Sequence, residues 1–125
     1  MRCLWAVLAV VLVLPAFVPA EDKKKEDKAP TYGKEVKPIL TANCVGCHRG
    51  AKAKGGLDMT SLETINKGSR KTKKVIVPGK SDESKLYTVL TEDGKPHMPP
   101  KTARSKPTAE DIDAIKKWID SGAKE

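Results

Sequence analysis

Cys44-Val45-Gly46-Cys47-His48 is the stretch on which the reading of this chain turns. Two thiols two residues apart, with an imidazole directly after the second, form the pattern that joins a polypeptide to haem c. The thiols become thioethers to the porphyrin vinyl groups and the His ligates iron. Gly46 keeps the turn between the sulfurs uncrowded. Five residues alone are only moderately specific, because Cys-x-x-Cys also serves zinc sites and thiol oxidoreductases. A closed zinc site needs four ligands, whereas the only other His is His97 and the only other Cys is Cys3. A thioredoxin-like pair would sit between a strand and a helix; here the pair follows a predicted helix and precedes a Gly-rich loop. In an oxidising compartment, a plain Cys44–Cys47 disulfide remains the bland competitor.

That compartment is indicated upstream. Residues 1–20 read as an export signal peptide, with Arg2 near the start, an apolar run from Leu4 to Leu14, and small residues ending at Ala20 before Glu21-Asp22-Lys23. A retained anchor is the alternative, but the uncharged run from Cys3 to Ala20 spans a bilayer's length only by including Pro15 and Pro19. Cys3 precedes the apolar run, which argues against lipidation there. Cleavage after Ala20 places the chain in the periplasm or another extracytoplasmic space, without stable membrane insertion. Residues 21–30 alternate charge with no apolar face and read as a flexible linker, leaving residues 31–125 as one domain.

Removal of the signal takes away one cation, so the formal charge falls from +8 to +7. Residues 21–125 hold only 16 Leu, Ile and Val side chains and no Phe, a composition typical of charged chains that stay unfolded. Something besides side chains has to complete the core, and a haem is large, flat and mostly apolar.

The domain reads as all-α with about four helices and long loops. Tyr32, Val36, Ile39 and Leu40 recur at helical spacing over Thr31–Asn43, with Pro38 as a defect expected to kink or shorten the helix. A short helix is predicted over Ser61–Lys67, ended by Gly68. Another is predicted over Asp82–Leu90, capped by Ser81. The last is the clearest: Pro107, the cap Thr108, acidic Glu110 and Asp111, the apolar face Ile112, Ile115 and Ile119, and Gly122 as terminator. Trp118 beside that face is expected to pack in the core. Gly55 and Gly56 either make a turn or admit a close backbone approach to haem. No alternating apolar run supports a sheet.

A second iron ligand has to come from a downstream loop, and His97-Met98-Pro99-Pro100 is such a loop. Met98 is the expected ligand: Pro99 restricts its backbone and two prolines stiffen the loop, so little entropy is left to lose on binding. His97 is an alternative, and Met59 lies only eleven residues after His48. Iron held by His48 and Met98 has no open position, which suits outer-sphere electron transfer rather than substrate chemistry, and the soft sulfur raises the potential.

Across residues 33–123 the sequence resembles the planctomycete-type cytochrome c domains, small relatives of class I cytochromes c. The likeness is carried by Glu35-Val36-Lys37-Pro38-Ile39-Leu40, Asn43-Cys44 with Cys47-His48, Gly55-Gly56-Leu57-Asp58, Val77-Pro78-Gly79, Ser84-Lys85-Leu86, Met98-Pro99-Pro100 and Trp118-Ile119-Asp120-Ser121-Gly122-Ala123. It implies a class I cytochrome c-like haem domain with one haem c on Cys44 and Cys47, and iron between His48 and Met98. Two departures stand out. In the family a Gly commonly follows the haem-binding His, whereas Arg49 intervenes here, and Lys67–Lys74 is unusually basic for a loop that often holds small residues.

The expected function is therefore an exported, single-haem electron carrier and not an enzyme. The rivals are a haem enzyme subunit or gas or redox sensor with a labile sixth ligand, and a haem-free thiol or disulfide module. The Lys71, Lys73, Lys74 and Lys101, Arg104, Lys106 clusters suit an acidic face on a redox partner protein, or are ordinary solvated surface. Nucleic acid is not expected, since no recognition motif accompanies the charge. If haem completes the core, a Cys44→Ala/Cys47→Ala chain loses most of its helical far-ultraviolet circular dichroism; native helix content without haem overturns that dependence.

Overall fold

Pro38 has no N–H to donate, and the backbone accommodates it by widening rather than by breaking. In the computed structural model, which describes residues 28–125, the first helix opens with a π turn, Tyr32–Val36, in which the Lys37 amide donates to the Tyr32 carbonyl. It continues as α1, Lys37–Asn43, with Pro38 in its first turn, where a missing N–H is tolerated. The expected defect is thus a wide turn ahead of the proline. Residues 1–20, read as an export signal, and residues 21–27, read as part of a linker, lie outside the described residues.

α2, Leu62–Lys67, starts where Ser61 and Thr64 cap each other. The Ser61 hydroxyl accepts from the Thr64 amide and the Thr64 hydroxyl from the Ser61 amide, both at 3.1 Å. Gly68, at φ 80°, ends it.

The helix predicted over Asp82–Leu90 is split. A 3-10 turn, Ser81–Glu83, is followed by extended Ser84 and then by α3, Lys85–Thr88. Ser84 is fully buried; its hydroxyl donates towards the Lys80 carbonyl at 2.8 Å and accepts from the Val77 amide at 2.8 Å. A buried hydroxyl bonded to a neighbouring turn offers the backbone an alternative to the helical ladder, and here that alternative wins. Ser81 likewise does not cap with its side chain. Its amide donates to the Asp120 carboxylate at 3.0 Å, which fastens this turn to the last helix. The Lys116 ammonium, 2.7 Å from the same carboxylate, and the Ser81 amide together hold the Asp120 carboxyl down at about 2.

α4, Ala109–Asp120, follows its predicted signals closely. Thr108 and Asp111 form a reciprocal cap at 3.1 and 2.9 Å, and the chain leaves through Gly122 at φ 106°. Ile115, Trp118 and Ile119 are buried. α4 packs against the π turn at the start of the first helix, against the Ser81–Glu83 turn and against α3. No strand occurs among the described residues, and the domain is all-α with four helices.

Trp118 fills the crossing of first and last helices, its ring centroid 5.8 Å from that of Tyr32. Burying an indole removes on the order of 200 Å² from water, or roughly 5 kcal/mol by area, as an upper bound. The Lys124 carbonyl accepts from both the Trp118 indole at 2.7 Å and the Tyr32 amide at 3.1 Å, so the C-terminal segment bridges the two helices. Around this crossing gather Val36, Leu40, Met59, Leu62, Ile65, Val75, Ile76, Leu86 and Leu90. Val75 and Ile76 enter the core from a non-helical segment tied down by the Leu86 amide on the Val75 carbonyl at 3.0 Å.

One core group is uncompensated. Among the described residues the buried Tyr32 hydroxyl has no hydrogen-bond partner, and burial, with Glu125 nearby, pushes its ionisation up. A buried unpartnered hydroxyl costs about 1–3 kcal/mol. Tyr32→Phe, which keeps the ring on Trp118, is expected to stabilise the domain by about 1 kcal/mol in denaturant unfolding; a destabilised variant would reveal a partner for that hydroxyl.

Candidate functional site

The end of α1 delivers the thiols. The Cys44 and Val45 amides both donate to the Leu40 carbonyl, at 2.8 and 3.0 Å, so the helix closes there. The next turn is built on the Cys44 carbonyl, which accepts from Cys47 at 3.1 Å and from His48 at 3.0 Å. Cys44, Cys47 and His48 are thereby held on two successive tight turns. Cys44 is half-buried against the core edge, Cys47 is exposed, and both thiols are free. Burial, reinforced by the nearby Cys47, pushes the Cys44 thiol up to about 11. That environment opposes a reactive thiolate, which needs the opposite shift.

The loop after His48 folds back onto the turns that precede it. The Lys54 amide donates to the Cys47 carbonyl at 3.0 Å and the Met59 amide to the His48 carbonyl at 2.9 Å. Gly55 and Gly56, at φ 66° and 70°, supply the left-handed turn that makes the reversal possible. The pair thus makes the turn that was one of its two readings.

The reversal brings the Leu57 carbonyl to 3.2 Å from His48 Nδ1. A carbonyl only accepts, so this contact selects the tautomer protonated at Nδ1 and leaves the Nε2 lone pair free for a metal. A backbone carbonyl on the far nitrogen is the usual way in which a ligating His is oriented. Leu57 had no signature in the sequence, because its contribution is main chain and depends on the glycine turn before it.

Met98 sits half-buried in the loop between α3 and α4. Its amide donates to the Val89 carbonyl at 2.7 Å. Gly94 packs so tightly on the same strand of backbone that a Cβ there would lie 2.5 Å from the Thr88 carbonyl oxygen and 2.9 Å from Val89. The Lys85 ammonium holds the Lys95 carbonyl at 2.9 Å. Further along, the Ser105 hydroxyl donates to the Asn43 side-chain oxygen at 2.5 Å, which ties the loop beside Cys44. The loop bearing Met98 is therefore pinned at one end to α3 and at the other to the residue preceding the first thiol.

The competing ligands fare differently. Met59 is buried in the core cluster, packed as a hydrophobe. His97 is exposed, with Nδ1 2.9 Å from the Thr91 carbonyl of its own loop. It lines an open depression of about 620 Å³ with Glu92, Pro100 and Lys101, to which neither thiol contributes.

Among the described residues no group of three or more His, Cys, Asp or Glu side chains is gathered to hold a bare metal ion. A porphyrin makes different demands, since its own four nitrogens occupy the iron's equatorial positions and the protein supplies only the axial ones. The free thiol pair and the oriented His48 fit that group. Val45 and Leu57, flanking the thiol turns, pack only partly buried against the core and would lose further contact with water beneath an apolar group.

The family model described as Planctomycete cytochrome C matches residues 44–102, from the first thiol to just beyond Met98 and its prolines. No curated protein and no solved structure matches the chain.

Proposed function

We propose that this chain, which carries a planctomycete-type cytochrome c domain, is an exported electron carrier with a single haem c attached through Cys44 and Cys47, its iron held between His48 and Met98. Haem of this kind supplies one-electron exchange between Fe(II) and Fe(III) at its exposed edge. The observation that carries the reading is the Leu57 carbonyl on His48 Nδ1, because it presents Nε2 for ligation directly beside two free thiols.

Each residue has a distinct task. Cys44 and Cys47 anchor the group by covalent bonds, so it is retained through repeated oxidation and reduction. His48, fixed in one tautomer, gives a ligand that need not reorient when the iron charge changes. Met98, on a loop tied to Val89 and to Asn43 through Ser105, offers a soft sulfur with little motion left to freeze. A site closed on both axial sides transfers electrons without binding substrate, which is why a carrier is favoured over an enzyme or gas sensor.

The export signal read in residues 1–20 supports an extracytoplasmic location, where disulfide-permissive conditions and haem attachment coincide. No described helix is long and apolar enough to cross a membrane. The cations of the two basic clusters, Lys71, Lys73, Lys74 and Lys101, Arg104, Lys106, take part in none of the ion pairs seen among the described residues, which are Lys67–Glu63, Lys80–Glu83, Lys116–Asp120 and Lys117–Asp113. Uncompensated positive charge of this sort would steer the carrier to an acidic face on its redox partner.

Two measurements decide these points. Protein made in a host with a cytochrome c maturation system should carry one haem's mass through denaturation, and its reduced form should leave carbon monoxide unbound. A colourless chain with free or disulfide-linked Cys44 and Cys47 supports the thiol module, and prompt carbon monoxide binding supports the enzyme or sensor. Separately, electron exchange with an acidic partner should slow steeply as ionic strength rises; a rate indifferent to salt would remove the charged docking face.

A further inference from the structure

The loop after α2 makes an unusual contact with the His48 loop. Gly68 leaves α2 at φ 80°, and Ser69 and Thr72 then close a tight turn: the Ser69 amide donates to the Thr72 carbonyl at 2.7 Å and the Thr72 amide to the Ser69 hydroxyl at 2.8 Å. Within this turn the Arg70 amide donates to the Gly55 carbonyl at 3.1 Å. The Arg70 side chain runs across Gly56 so closely that a Cβ on that glycine would lie 2.7 Å from Arg70 Cγ and 3.0 Å from Nε. Gly56 immediately precedes Leu57, whose carbonyl orients His48.

Arg70 is thus fastened by its main chain and by its stem to the segment that sets the proximal imidazole. Its guanidinium takes part in none of the ion pairs among the described residues. Lys71, Lys73 and Lys74 share the loop and are exposed, and Lys73 packs its main chain against Gly68 rather than against the His48 loop. A planar cation held in place without an anion is well suited to a carboxylate that arrives with a ligand, because the guanidinium fork matches a carboxylate with two parallel hydrogen bonds.

We propose that Arg70 is a positioning residue for the bound haem: its guanidinium, carried across Gly56, pairs with a haem propionate and adds a fixed positive charge near the iron. The inference rests on haem attachment at Cys44 and Cys47 and deepens that reading by assigning the anionic edge of the group. A fixed cation close to the iron favours Fe(II), the state with the smaller positive charge, and so raises the reduction potential.

The test compares matured holoprotein carrying Arg70→Gln, Arg70→Met or Arg70→Lys with a Lys74→Gln control. Intact mass is read first: a haem adduct in every variant leaves the attachment reading standing whatever the potentials do, whereas its absence from the parent protein overturns attachment and Arg70's role with it. Redox titrations at low and high ionic strength follow. Arg70→Gln and Arg70→Met should both lower the potential by more than Lys74→Gln does, with most of the shift surviving high salt, since a close pair is screened less than a solvated charge. Arg70→Met keeps an apolar stem over Gly56, so its shift reports charge rather than packing. Arg70→Lys should restore part of the loss. If the Arg70 variants shift the potential no more than the control, or if high salt abolishes the difference, Arg70 is a surface cation and the assignment is wrong.

Discussion

The contact between Trp118 and Tyr32 is the constraint on which the domain depends. With only 16 branched aliphatic side chains after residue 20, the chain has few ways to assemble a core, and the crossing of first and last helices concentrates its two largest buried rings at one place. The Lys124 carbonyl then satisfies the indole and the Tyr32 amide at once, so a residue beyond α4 secures the crossing. From there the rest is fastened outward. The Gly79 amide reaches the Ile119 carbonyl and the Ser81 amide reaches Asp120, both of which hang the middle of the chain on α4.

The same helix crossing positions the site indirectly. The first helix starts, in its π turn, at the Trp118 contact and α1 ends beside Cys44, so the thiol turns project from a helix whose other end is locked. The His48 side is then completed by local chain: within a dozen residues of Cys47, the Lys54 and Met59 amides, on the Cys47 and His48 carbonyls, and one imidazole contact fold the loop back on itself. The Met98 side combines local packing, Gly94 against Val89, with one tie to distant chain, Ser105 to Asn43.

That difference explains what was legible. α4 could be read almost residue by residue, since its cap, acidic first turn, apolar face and terminating glycine are all local signals and each is realised. α2 followed for the same reason. The helix read over Asp82–Leu90 did not survive, because the break at Ser84 comes from a buried hydroxyl bonded to Val77 and Lys80, residues on the far side of the turn. Periodicity sees apolar spacing and is blind to such competition. Pro38 was recognised as a defect, but whether a chain widens or kinks at a proline is decided by what packs around it. At the site, Cys44, Cys47, His48 and Met98 carry chemistry in their side chains and were visible. Leu57, Asn43 and Ser105 act through a carbonyl or a tertiary hydrogen bond, and no composition or spacing marks them. Met59, a candidate by chemistry alone, lies buried in the core cluster.

Under the proposed function, the two sides would also divide the mechanical demands of electron transfer. Outer-sphere exchange is fast when little has to move as the metal changes charge, so each ligand must be held by contacts that do not themselves depend on the metal. His48 meets this through short-range main-chain bonds, whose geometry is set as soon as the glycine turn forms. Met98 would meet it through a longer loop, tied to Val89 by its own amide and to Asn43 through Ser105, with Pro99-Pro100 between the two ties. Long-range anchors are lost earlier than local ones when a domain loosens, because each requires two distant segments to remain docked. If haem is attached as proposed, stress that breaks the Ser105–Asn43 tie should release the Met98 side before the His48 side, whose contacts lie within a dozen residues.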